Sequence, residues 1–172
     1  MFHDWDNFYL LVGSAAAALI GLLFVVVTLT SSLEKQSAST GASVYMTPTV
    51  FHFGVVLVLS GLALAPGVAP LATGQGVGFA AVAGMVYAGF VAVWIHQKKV
   101  SPTPHWSDFW WYGVAPLVLY LGLAIDGVVL TDGRHGTAAM AASLMALLLV
   151  GVRNAWDLVT FLAPRKSGDE KA

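Results

Sequence analysis

FYLLVGSAAAALIGLLFVVVTLT, residues 8–30, holds no charged side chain over about 23 consecutive positions. A helix rises about 1.5 Å per residue, so this run spans the roughly 30 Å of a bilayer's hydrocarbon core. A helix is also one of the few structures that satisfies all its backbone polar groups without water. The segment therefore predicts a transmembrane helix, with lipid as the solvent of the fold. Residues 1–6 in front of it are acidic (Asp4, Asp6). A cleaved leader has a basic start and a shorter apolar core, so the run is expected to be a retained first span.

The remaining sequence continues the pattern. Of 172 residues, 58% are hydrophobic and 10% charged, with a mean hydropathy of +0.77; soluble domains carry about 25% charged residues. Apolar runs place spans at about 8–30, 49–71, 77–96, 109–130 and 137–161. They fill residues 1–172 as one all-α transmembrane domain, a polytopic bundle of about five helices. Thr47, Pro48 and Thr49 suit a helix start, because proline is tolerated in the first turn. Pro66, Gly67, Pro70, Gly74 and Gly76 are expected to form a kinked end and a tight hairpin. Pro102 and Pro104 keep residues 101–104 extended, and Ser107 or Asp108 can cap the fourth helix. Trp106, Trp110, Trp111 and Tyr112 form an aromatic belt at its start.

Five spans put the chain ends on opposite sides. With the N-terminal side outside, Lys35, Lys98, Lys99, Arg153, Arg165, Lys166 and Lys171 fall on the inner side and Arg134 alone on the outer. That split predicts an outer N-terminus and a cytoplasmic C-terminus, with a bacterial cytoplasmic membrane as the setting. The net charge of −1 gives no basic field for nucleic acid. With no cysteine, thiolate metal sites, disulfides and cysteine nucleophiles are excluded.

Three groups of residues stand out. Gly13, Ala17 and Gly21 recur every fourth position, a spacing that lets helix backbones approach closely in lipid. On the inner side, Arg153 and Asp157 are four apart and can pair; with Asn154 and His52 they form a candidate polar layer, His52 and Asp157 being expected at similar depth. Its competing reading is a plain interfacial anchor, with Arg153 snorkelling outward. On the outer side, Asp126, Asp132, Arg134 and His135 form a candidate cluster near His3, Asp4 and Asp6. Aspartates and histidines can hold a cation, but no ligand spacing supports one, and a solvated rim is the favoured reading. No motif for a hydrolase, a phosphate loop or a nicotinamide or flavin cofactor is present. Ser60 and Ser143 have no evident base. The glycines at 74, 76 and 78 are expected to make a turn.

Residues 7–10 leading into Gly13, Ser14 and Ala15, then Gly21 to Val25, resemble the first helix of a family of small bacterial multi-pass membrane proteins. Residues 47–53 and 153–159 fit the same pattern. Some members of that family are labelled modulators of a membrane-bound AAA protease, and the resemblance implies no catalytic residues. A non-enzymatic scaffold, accessory subunit or regulator of a membrane complex is the leading expectation, with no cofactor. A small homo-oligomeric ion channel or transporter is the alternative. The expected partners are the lipid bilayer, a second copy of the chain, or another membrane protein.

Overall fold

The computed structural model describes residues 3–31, 39–97, 107, 109–132 and 137–162, all helical apart from the tight turns. A short 3-10 turn, His3–Trp5, leads into α1, Asp6–Ser31. Then come α2, Ser39–Leu64, and α3, Pro70–His96. A π-helical turn, Phe109–Val114, opens α4, Ala115–Thr131, and α5 is Thr137–Leu162. Five helices are long and apolar enough to cross a membrane. The polarity of the molecule is inverted relative to a protein in water. Phe79 is 79% exposed and Trp156 68%, while His52 and Asn154 are fully buried. A surface rich in exposed Leu, Val and Phe all around the bundle is one that lipid, not water, covers. The chain is an integral membrane protein.

Each helix turns inward on a spacing of alternately three and four residues. In α3 the buried line is Gly74, Val77, Ala81, Gly84, Ala88, Val91 and Ile95. In α5 it is Thr137, Met140, Leu144, Leu147, Gly151, Asn154 and Leu158. A repeat of 3.5 residues keeps one seam against a neighbour along its length and implies left-handed supercoiling. α3 and α4 pack most extensively against each other, α1 packs on α2, and α5 bridges α1, α2 and α4.

The α3–α4 seam depends on glycine. A Cβ on Gly74 would lie 2.6 Å from the Gly127 carbonyl oxygen, and one on Gly127 would lie 2.9 Å from the Gly78 nitrogen. The ring of Tyr120 sits directly on Gly84, and Ala92 on Gly113, where a Cβ would lie 2.7 Å from Ala92 Cβ. Gly74, Gly76 and Gly78 lie within α3 and do not form the hairpin turn that their composition suggested. The second and third spans are divided earlier, at Ala65, Pro66 and Gly67. Gly67 has φ +75°, a conformation that glycine adopts without a steric penalty. Pro70 then occupies the first turn of α3. Pro48 likewise lies inside α2 instead of starting it; in a packed membrane helix its missing N–H is tolerated.

In α1, Gly13 touches α2, where its Cβ would lie 2.9 Å from Ser60 Cβ. Ala17 and Gly21 are exposed, and nothing lies within 4 Å of a Cβ on Gly21. Every fourth residue advances about 40° beyond a full turn, so a strict four-residue row walks off the seam. The inward line runs instead through Tyr9, Val12, Ala16 and Leu23.

Substituting Gly84 by alanine is expected to cost about 1–3 kcal/mol, because the Tyr120 ring must move. Gly89→Ala, in open space on the same helix, should change stability by less than about 0.5 kcal/mol or raise it. Unfolding midpoints of the two variants in nanodiscs check this.

Candidate functional site

The bundle buries polar side chains at three levels. At the first, midway along the fourth span, Phe109–Thr131, the Tyr120 hydroxyl lies 2.8 Å from His52 Nδ1. Phe51 packs beside them, its ring centroid 4.5 Å from that of Tyr87 and 5.9 Å from that of His52. The other imidazole nitrogen, Nε2, is buried and has no hydrogen-bond partner among the described residues. If the phenol donates to Nδ1, Nε2 carries the proton; if Nδ1 donates, Nε2 is a free acceptor.

The second level lies toward the end of α4 and the start of α5. Ser143 Oγ donates to Asp126 Oδ2 at 3.0 Å, and Tyr9 Oη donates to the Thr137 carbonyl at 2.7 Å. Asp126 lies in the last two turns of α4 and Ser143 in the first two turns of α5, so the facing ends of the two helices bring them together. Asp132 ends α4 and is exposed. Arg134 and His135 lie outside the described residues. Among the described residues, no three His, Asp or Glu side chains are grouped to hold a metal ion.

The third level joins α5 to the π-helical turn. In such a turn a carbonyl bonds the N–H five residues ahead. Five beyond Trp111 is Pro116, which has no N–H. The Trp111 carbonyl accepts a hydrogen bond from Asn154 Nδ2 at 3.1 Å. Tyr112 Oη donates to the Asn154 carbonyl at 2.9 Å, so the neighbouring aromatic binds back to the same residue. Arg153 Nη1 lies 2.8 Å from Asp157 Oδ2, one turn along α5. Its Nη2 donates to Ser107 Oγ at 3.2 Å, and its guanidinium lies 4.5 Å from the centre of the Trp111 ring. Arg153 therefore clamps the start of the fourth span, and its stem does not simply run outward.

These positions redraw the expected inner layer. Arg153, Asn154 and Asp157 belong together; His52 does not join them, and no hydrogen bond links it to Asp157. The cause is helix register: Phe53 packs on Gly151, nearly two turns before Asp157 on α5, and its neighbour His52 meets Tyr120 of the fourth span. The residues that complete these groups are Tyr120, Tyr112, Trp111, Ser107 and Ser143. Tyr120 carries a local signal, a lone hydroxyl at the centre of an apolar span.

An apolar cavity of about 350 Å³ opens between α1 and α2, lined by Leu23, Phe24, Met46, Thr47, Val50 and Phe51. It contains no group capable of acid–base or nucleophilic chemistry beyond the Thr47 hydroxyl.

Asn154→Ala should cost about 1–2 kcal/mol by leaving the Trp111 carbonyl without that donor. Asp157→Ala removes one partly exposed i,i+4 pair and should cost about 0.3–0.5 kcal/mol. Unfolding midpoints in nanodiscs should rank them in that order; equal losses would remove the clamp's special role.

No family model, no curated protein and no solved structure matches this chain, so its function is read from its own geometry.

Proposed function

We propose that this chain is a non-enzymatic membrane protein that acts by packing against other membrane helices, as a scaffold, accessory subunit or regulator of a membrane complex. The observation that supports this best is the filled interior. At mid-depth the Tyr120 ring occupies the space over Gly84, and Phe53 the space over Gly151, where a Cβ would meet the ring at 2.5 Å. Below and above them, Leu144, Leu147, Leu123 and Val56 close the core. Asn154, Asp126, Tyr9 and Tyr120 spend their polar groups on neighbouring side chains and on backbone carbonyls, which is the arrangement of a structural tie, while His52 Nε2 and Ser60 Oγ have no partner among the described residues. A partner would be a second copy or another membrane protein; a membrane-bound protease complex is one form that the sequence resemblance suggests. The seven-to-one split of Lys and Arg supports an outer N-terminus and a cytoplasmic C-terminus in a bacterial cytoplasmic membrane.

Two measurements test this. Purified in mild detergent, the tagged chain should retain a stoichiometric partner or a second copy, and in liposomes it should carry no ion flux. Ion flux from the chain alone would overturn the reading in favour of a channel. A C-terminal tag cleaved by protease added outside intact cells would reverse the orientation.

A further inference from the structure

The helices fall into two closely packed groups, and most of the side-chain hydrogen bonds between helices lie on the line between those groups. α3 and α4 are joined by glycine: Gly74 and Gly78 against Gly127, Gly84 under Tyr120, Gly113 against Ala92. α1, α2 and α5 form a second group, held by Gly13 against Ser60, by Phe53 on Gly151 and by Tyr9 bonded to Thr137. Between the groups runs a line of side-chain hydrogen bonds: Asp126 with Ser143, His52 with Tyr120, Trp111 and Tyr112 with Asn154, and Ser107 with Arg153. The ring pair Phe51–Tyr87 and the contact of Leu62 with Gly76 flank that line.

The two kinds of contact respond differently to displacement. Backbones in van der Waals contact through glycine lose about a quarter to a half of their attraction over a gap of about 0.5–1 Å. Hydrogen-bonded side chains can exchange partners and tolerate water, which apolar seams do not. His52 Nε2, unpartnered here and fully buried, gains a partner if the line between the groups admits water. Ser60 Oγ, inside the α1, α2 and α5 group, is also buried without a hydrogen-bond partner among the described residues, but it does not lie on the line of hydrogen bonds between the groups.

We infer that α3 and α4 move as one body against α1, α2 and α5, parting along this polar seam, with the His52–Tyr120 pair as its latch. This inference does not depend on which partner the chain binds.

The chain lacks cysteine, so single thiols can report on water. Ser143→Cys places a reporter on the seam, and Ser60→Cys places one inside the α1, α2 and α5 group. Each is reconstituted in bilayers and exposed to a charged methanethiosulfonate, which reacts only where water reaches. Adding Tyr120→Phe keeps the ring over Gly84 and removes the latch hydroxyl. The rate at Ser143→Cys should then rise about threefold to twentyfold, the range spanned by one interhelical hydrogen bond in a bilayer. The rate at Ser60→Cys should stay within about twofold. His52→Gln, a second latch variant, should give the same pattern. A comparable rise at both reporters would mean general loosening, and no rise at Ser143→Cys would mean a fixed bundle; either result overturns the inference.

Discussion

One side chain, Tyr120, holds three helices at once. Its ring fills the hollow over Gly84 of α3 and its hydroxyl meets His52 of α2, while its own backbone belongs to α4. The two halves of the side chain do different work. The ring requires glycine opposite it, which fixes how closely α3 and α4 approach. The hydroxyl requires a partner, since an unpaired polar group in hydrocarbon costs several kcal/mol. His52 supplies that partner and thereby fixes the rotation of α2. With those two constraints met, the remaining helices can settle on the 3.5-residue seams that their apolar and small residues provide.

Lipid is as apolar as leucine, so burying leucine contributes little to holding the helices together. What distinguishes this arrangement from others is close packing and the satisfaction of polar groups. Both occur where the sequence is least ordinary for a membrane span. Glycine lines the α3–α4 contact, and Asn154 serves the carbonyl opposite Pro116 in the π-helical register. Arg153 binds Ser107 and stacks on Trp111, so a charge in the second half of α5 is held by neighbours instead of facing lipid alone. Stability and specificity thus rest on a few contacts, each worth about 0.6 kcal/mol on average and up to about 1.7 kcal/mol for hydrogen bonds in a bilayer.

The five spans are legible in the sequence because hydropathy over about 20 residues depends only on composition. The ends of spans two and three are not. Pro48, Gly74 and Gly76 read as turn residues by the rules of water-soluble chains, whereas packed membrane helices accommodate them. Gly13 is visible as a packing residue, but the four-residue row beyond it is not a seam, because the helix rotates Ala17 and Gly21 outward. Arg153–Asp157 follows from local spacing, and Asp126–Ser143 follows from the hairpin symmetry of consecutive helices α4 and α5. His52–Tyr120 crosses 68 positions of sequence and depends on the register of α2 against its neighbours, so neither local spacing nor hairpin symmetry points to it.

The most direct test of this account is a pair of double-mutant cycles on stability in nanodiscs, with His52 common to both. His52 and Tyr120 should show a coupling of about 0.5–2 kcal/mol, as residues that share a hydrogen bond do. His52 and Asp157 should be additive to within about 0.5 kcal/mol. Additivity between His52 and Tyr120, or strong coupling between His52 and Asp157, would contradict the placement of α2 on which the whole arrangement depends.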